Sequence, residues 1–501
     1  MARADSTQST QPQEEAQFLR RVVLWVVLGV VVFVAVIGLH DWRRPEAPVM
    51  RTLIGVDFPA FYCGGEVARH RADPYRLEPL RSCEQRVSPE DATAQCVLPA
   101  PYPGPTLALF EVLSLMPYAS AKLVWASMLV AALLVTAVTL AELTGFPAFV
   151  VLLALAGFEG YASLHVGQVP PIFMALLSLA GYFVARGRHE ISAAICSFSM
   201  IEPHLGVPAC VGMFVWLPRS RAVLALAAAA YAAVSIAAIG LKLNVEYVRF
   251  ALPAQAAAEV PNMGQWSLTH VLYLFGVDEK SALRYGALDY VIMCTFGIIV
   301  GRRLATVLDA DEFVLFMPVA AAMLGGSFLH AVQMAAALPA AFVLAARAIR
   351  YRPVAWLALL LLVIPPPASW GAHLAGPVTW GWLYFVGVLS LAFVGLRGAR
   401  TYVRLSGAFA AALASVVLVA AIRAHPVAAA PAPQDCHLPP AVLQPDALAS
   451  ANWEAATRYT NAQVHWSQTR IMLEKLPTWT GLILLLATAV AQGTAPRRRA
   501  P

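Results

Sequence analysis

Apolar runs of about helix length, separated by short polar gaps, repeat along almost the whole chain. The first runs from Val22 to Leu39 without a charged residue, and about 20 residues suffice to cross a bilayer as a helix. Further runs follow at 122–143, 147–161, 170–185, 190–203, 205–217, 222–241, 284–301, 313–324, 331–347, 353–364, 378–396, 405–423 and 477–493. The pattern predicts an all-α polytopic membrane protein with about 12–14 transmembrane helices, some of them short. Residues 1–21 read as a polar, disordered tail, 22–423 as the helical body, 424–476 as an outer linker plus a short amphipathic helix that either contributes to acceptor binding or only anchors the tail, and 477–501 as a last helix with a basic end.

Arginines orient this path. They fill alternate gaps: Arg186 and Arg188, Arg219 and Arg221, Arg302 and Arg303, Arg347 with Arg350 and Arg352, Arg397 with Arg400 and Arg404, and Arg497 to Arg499. Placing these in the cytoplasm puts the N-terminus there too, with Arg43 and Arg44 outvoted. The outer segments are then 41–105, 162–169, 242–283, 365–377 and 424–476. In the first outer region, 41–121, the stretch Thr106 to Met116 is apolar but too short to span. Bracketed by Pro105 and Pro117, it predicts an interfacial helix.

Composition agrees and narrows the classes. Of 501 residues, 59% are apolar and 13% charged, against about a quarter charged in a soluble domain. Mean hydropathy is +0.66. That excludes a disordered chain and most soluble enzymes. The net charge of +6 reflects arginine, since only four of the 35 basic residues are lysine. Anchoring of cytoplasmic loops accounts for that excess, and no nucleic-acid partner is expected. Cys83 and Cys96 lie close together in the first outer loop, where an oxidising compartment would let them pair. Cys63 and Cys436 are outer as well, so other pairings stay open, as do free thiols. Cys196, Cys210 and Cys294 read as core residues, and no Cys/His spacing suggests a metal.

Five polar clusters fall on the outer face. The first runs Gly55-Val56-Asp57-Phe58-Pro59-Ala60-Phe61-Tyr62, followed by Asp73-Pro74-Tyr75. A carboxylate beside aromatics at a membrane surface suits a general base, since partial desolvation raises its basicity. The spacing alone favours a plainer role, Asp57 capping a helix that starts near Pro59. The second cluster is Gly160-Tyr161-Ala162-Ser163-Leu164-His165-Val166-Gly167-Gln168-Val169-Pro170, which composition favours as a polar turn and which could also contact a ligand through Gln168, with Gly167 permitting close backbone approach. The third, Ile201-Glu202-Pro203-His204, is an ionisable pair that is either functional at membrane depth or satisfies itself at a helix break. The fourth is Ser327-Phe328-Leu329-His330, and the fifth Asn262-Met263-Gly264-Gln265-Trp266-Ser267-Leu268, whose neutral hydrogen-bonding groups suit a sugar. Polar groups converging on one face of a membrane body point to one site.

In order, these motifs resemble those of glycosyltransferase family 87, the DUF2029 proteins. Asp57-Phe58 with Tyr62 and Asp73-Pro74-Tyr75 looks like the family's opening motif. Tyr102-Pro103-Gly104-Pro105, with Met116-Pro117 and Trp125, is similar to its next segment; Gly167-Gln168-Val169 resembles its Gly-Gln motif, and Gln265-Trp266-Ser267-Leu268 its Asn-x-Ser-Leu block. His330 stands where the family tends to carry a late histidine. The resemblance covers roughly residues 20–400 and implies a GT-C fold. It implies a polyprenyl-phosphate-linked sugar as donor, mannose first, and a lipid or glycan acceptor, with inversion at the anomeric carbon. By that carry-over Asp57 is the general base and His330 assists at the donor phosphate or acceptor. Tyr62, Tyr75, Gln168, His204, Gln265 and Ser267 would bind substrate, with no resident cofactor and no metal ligand among them, and the need for a metal stays open. The chain departs from the family at Pro170, at Ala331, and at Glu202, where a lysine is usual. That substitution leaves His204, Arg249 or Arg284 to meet the phosphate charge. A transporter or lipid flippase and a non-enzymatic envelope-assembly protein are the competing classes. The first should show internal repeats, which are not evident, and the second would not need Asp57.

Overall fold

The structure is a computed structural model that describes residues 11–43, 55–89, 96–156, 161–363, 388–396, 401–425, 438–463 and 468–494. Among these, every regular element is a helix, with only two isolated bridges. Five helical segments are long and apolar enough to cross a membrane: Pro12–Arg43, Tyr118–Thr144, Pro218–Glu259, Glu279–Leu308 and Thr469–Gly493. The chain is a polytopic, all-helical membrane protein. The first helix begins at Gln11, so residues 11–21 extend the span where a disordered tail was expected. The expected run 378–396 lies mostly outside the described residues.

Several runs that read as spans are short helices instead. Pro203–Trp216, Phe313–Ala322 and Leu338–Arg347 have 14, 10 and 10 residues. At about 1.5 Å per residue these fall well short of the hydrocarbon thickness. Every residue of Phe313–Ala322 is buried. A helix wrapped by protein meets no lipid and so need not match the bilayer in length. Between apolar helices in lipid, association depends on close packing rather than on release of water. Gly297 and Gly301, one turn apart on Glu279–Leu308, provide it. A Cβ on Gly297 would come within 2.7 Å of the Met317 carbonyl oxygen on the buried helix.

The long helix Tyr118–Thr144 separates two ends of the body. At one end Glu142 pairs with Arg21 at 3.0 Å and Arg186 at 3.5 Å, and Arg188 pairs with Glu15 at 3.1 Å. At the other, the Trp125 indole donates to the Gly167 carbonyl at 2.7 Å. Residues 125 and 142 lie about 25 Å apart along the axis. Arg21, Arg186 and Arg188, scattered in sequence, therefore gather at the end away from Gly167.

Among the described residues, the region expected as the first outer loop carries the helices Phe58–Arg69, Leu77–Val87 and Gly104–Leu113. The interfacial stretch near Thr106 is the last of these. It buries Leu107 and Phe110 and exposes Val112. Cys83 bonds to Cys63, tying the first two helices, and not to Cys96 as the sequence spacing suggested. The reason is helical geometry, which packs Phe58–Arg69 on Leu77–Val87 and brings their cysteine Cα atoms to 5.7 Å. Cys436 lies outside the described residues. Replacing Cys63 by serine should destabilise this region by about 3 kcal/mol, the loop-closure value for a loop of this size. Non-reducing peptide mapping should recover Cys63 joined to Cys83. Recovery of a Cys83–Cys96 peptide would reverse the assignment.

Candidate active site

Backbone pairing fixes where Asp57 sits. The N–H groups of Gly55, Val56 and Asp57 donate to the carbonyls of Leu164, His165 and Val166, each at 2.9 Å. The two outer segments lie so close that a Cβ on Gly167, whose φ is +84°, would come 2.8 Å from Gly55 Cα. Glycine is required there on both counts. The close approach foreseen at Gly167 is thus made by the protein's own backbone. The turn, closed by Gly167 N–H and Gln168 N–H to the Ser163 carbonyl at 2.7 and 3.1 Å, aims Gln168 at Asp57. Its Nε2 donates to Asp57 Oδ2 at 2.6 Å.

Asp57 occupies the N-cap position of Phe58–Arg69, yet its carboxylate makes no capping hydrogen bond. The capping role favoured by spacing is therefore not the one the side chain takes. It faces a cavity of about 630 Å³. Burial pushes its pKa up to about 6, opposed by the Gln168 hydrogen bond and the nearby His330 and reinforced by Glu259. Tyr102, which donates to Gln168 Oε1 at 3.4 Å, also lines the cavity.

His204 and His330 complete the group with Gln168. His204 Nε2 lies 3.5 Å from Glu202 Oε2, and its backbone carbonyl accepts from Tyr290 Oη at 2.5 Å. His330 is held by a short antiparallel pairing with Gln265. Trp266 N–H donates to the Leu329 carbonyl at 2.6 Å, and Leu329 N–H to Gln265 Oε1 at 2.6 Å. His330 Nε2 stands 3.8 Å from Glu259 Oε2. Asp57, Gln168, His204 and His330 thus meet on one cavity wall.

The other four expected residues do not line it. Tyr62 turns away, donating to the Met116 carbonyl at 2.9 Å and packing edge-on against Tyr118. Its neighbour Phe61 faces the cavity instead, because successive helical side chains diverge by about 100°. Tyr75 is buried, donating to the Tyr102 carbonyl at 2.8 Å and packing on Tyr247. Gln265 is wholly buried one layer behind, bridging Glu259, Leu329 and His330. Ser267 caps the helix Leu268–Leu274, accepting from His270 N–H at 3.3 Å. Arg249 and Arg284 are exposed and off the cavity.

The sequence reading passed over Glu259. This carboxylate is 2% exposed and accepts from Gln255, Asn262, Gln265 and Trp453 at 2.7–3.1 Å. One signal was available: Glu259 is the one acidic residue between Glu246 and Asp278, and an isolated acid in an Ala-rich apolar stretch calls for partners. Trp453 comes from the segment expected as an outer linker. That segment folds into Ala449–Gln463 and ties to the first outer region: Leu77 N–H reaches the Ala447 carbonyl at 2.7 Å, and Ala449 N–H the Tyr75 carbonyl at 2.9 Å. Among the described residues, no group of three His, Cys, Asp or Glu is placed to hold a metal ion.

No curated protein matches the chain. Residues 101–329 match the model of glycosyltransferase family 87. The matched stretch contains Gln168, His204, Glu259 and Gln265, and it ends one residue before His330. By this match, which covers just under half of the chain, and in keeping with its polytopic helical body, the chain is similar to the family 87 membrane glycosyltransferases.

Proposed function

We propose that this protein transfers a monosaccharide, mannose first among candidates, from a polyprenyl-phosphate donor to a lipid or glycan acceptor at the outer face of a bacterial inner membrane. The observation that carries this is Asp57, desolvated yet hydrogen-bonded at the wall of a single cavity with two histidines. The carboxylate takes the proton of an acceptor hydroxyl. The hydroxyl oxygen then bonds to the anomeric carbon as the bond from that carbon to the phosphate oxygen breaks, with inversion. Polyprenyl phosphate departs with the electron pair. Among the described residues lining the cavity, His204 and His330 are the basic ones, with no lysine or arginine. His330 is the group proposed to meet the phosphate charge, in place of Arg249 or Arg284; burial pushes the His204 pKa down to about 4, so His204 meets the phosphate as a neutral hydrogen-bond donor. A cavity of about 630 Å³ is of a size to take a sugar and the reacting end of an acceptor.

Two features support the outer location. The site lies at the end of Tyr118–Thr144 away from Arg21, Arg186 and Arg188, and arginines favour the cytoplasm. The Cys63–Cys83 disulfide suits an oxidising compartment. The test is transfer by the purified protein from polyprenyl-phosphate-mannose, -glucose or -arabinose to extracted envelope lipids and glycans. Transfer from a nucleotide sugar, and from none of these lipids, would refute the donor class.

The pH profile gives a second check. Asp57 must be ionised to act, so the rate should fall about tenfold per pH unit once the pH drops below about 6. Gln168 stabilises the ionised form. Gln168→Leu should therefore push the pKa further up and move the acid limb to higher pH, by about one unit for a charge-assisted hydrogen bond. An acid limb that stays in place would detach Asp57 from the observed rate.

A further inference from the structure

We propose that residues 438–463 form the acceptor side of the cavity, and that the Trp453 indole is the platform on which a sugar ring of the acceptor rests. This deepens the transferase reading and depends on it for the word acceptor. The segment lies outside the stretch that matches the family, so the match does not account for it. It is nevertheless built into the site. Arg76 donates to the Asp446 carbonyl at 2.9 Å, the Asn452 side chain accepts from Val97 N–H at 3.0 Å, and Ser450 donates to Gln255 Oε1 at 2.8 Å. Helix Ala449–Gln463 packs on Leu252–Glu259.

Trp453 is half-buried on the cavity wall, and its Nε1 donates to Glu259 Oε1 at 3.1 Å. That bond fixes the ring before any ligand arrives, so no rotamer freedom is lost on binding. A pyranose has an apolar C–H face that a flat indole covers, while its hydroxyls stay free for polar neighbours. The carboxylate of Glu259 beside the ring suits a neutral, hydroxylated ligand. The origins of the lining residues divide the cavity in the same sense. Ala287, Tyr290 and Val291 come from Glu279–Leu308, a helix long and apolar enough to cross a membrane, and Val291 on it is 59% exposed. A polyprenyl chain approaches from there. Leu98, Pro99 and Trp453 come from outer segments, where a water-borne or surface glycan arrives.

The experiment uses the purified full chain, with methyl mannosides, glucosides and arabinosides and their disaccharides as probes. Direct binding is measured alongside acceptor and donor KM. Trp453→Ala should weaken binding of the preferred probe and raise acceptor KM about tenfold, the equivalent of one lost aromatic contact, with donor KM changed less than about threefold. Trp453→Phe, which keeps a flat ring and loses the N–H, should recover most of the affinity. The proposal is overturned if the wild type binds no probe, if Trp453→Ala binds like the wild type, if donor KM rises as much as acceptor KM, or if the phenylalanine variant is as weak as the alanine one. That last result would assign the effect to the Glu259 bond. Trp453-dependent sugar binding without transfer from any polyprenyl-phosphate donor would sink the proposed function and leave the sugar platform standing.

Discussion

Asp57→Asn is expected to reduce sugar transfer by about 10²–10⁴-fold, the range for a positioned general base. Asparagine keeps the shape and can still meet Gln168 after an amide flip, but it cannot take a proton near neutral pH. The loss should fall on kcat, with both substrates still bound, because the proton moves only as the acceptor attacks. The residual rate should also lose its acid limb near pH 6, since the group responsible is gone. Transfer by Asp57→Asn at the wild-type rate would move the base elsewhere. Within the cavity the carboxylates to try next are Glu202 and Glu259.

Glu259→Ala is expected to cost about 3–5 kcal/mol, the scale for removing one partner of a buried charged network. Four donors converge on this carboxylate, three from its own outer segment and one from Trp453. Gln265 is wholly buried, so its amide would lose an acceptor with no solvent to replace it. Gln265 in turn holds Leu329 and His330, so the damage should spread to the wall that presents His330. Two measurements check this: thermal unfolding in detergent, and trypsin cleavage at Arg458 on Ala449–Gln463. Both should worsen together, since the same carboxylate anchors Trp453 on that helix. Glu259→Gln keeps the volume and removes the charge. It should lower the Asp57 pKa and shift the acid limb of transfer to lower pH, because Glu259 is one of the groups that raise it. A Glu259→Ala protein as stable as the wild type would show the network to be dispensable.

Much of the fold was legible because lipid imposes a simple rule on sequence. Long apolar runs such as 122–143 and 284–301 became Tyr118–Thr144 and Glu279–Leu308. The rule fails for Phe313–Ala322, which is apolar for a different reason: it is enclosed by other helices. Composition does not distinguish a helix facing lipid from one facing protein. The site was half legible for a related reason. Polar residues at outer turns, Asp57, Gln168, His204 and His330, stood out against an apolar background, and they share the cavity. Tyr62, Tyr75, Gln265 and Ser267 sit in the same motifs, but their side chains are turned by tertiary packing that one-dimensional spacing does not carry. Glu259 and Trp453 meet across 194 positions of sequence, and no local pattern announces such a pair.

The hydrogen bonds that join residues 75–78 to 445–449 have a consequence in time. A ribosome delivers the Asp57 segment first and residues 438–463 much later, after four of the five described spanning segments have been threaded. A nascent chain stalled before residue 438 would hold Asp57, Gln168, His204 and His330 with one side of the chamber missing. A chain without residues 438–463 thus lacks the Trp453 wall, and synthesis of that segment closes the chamber.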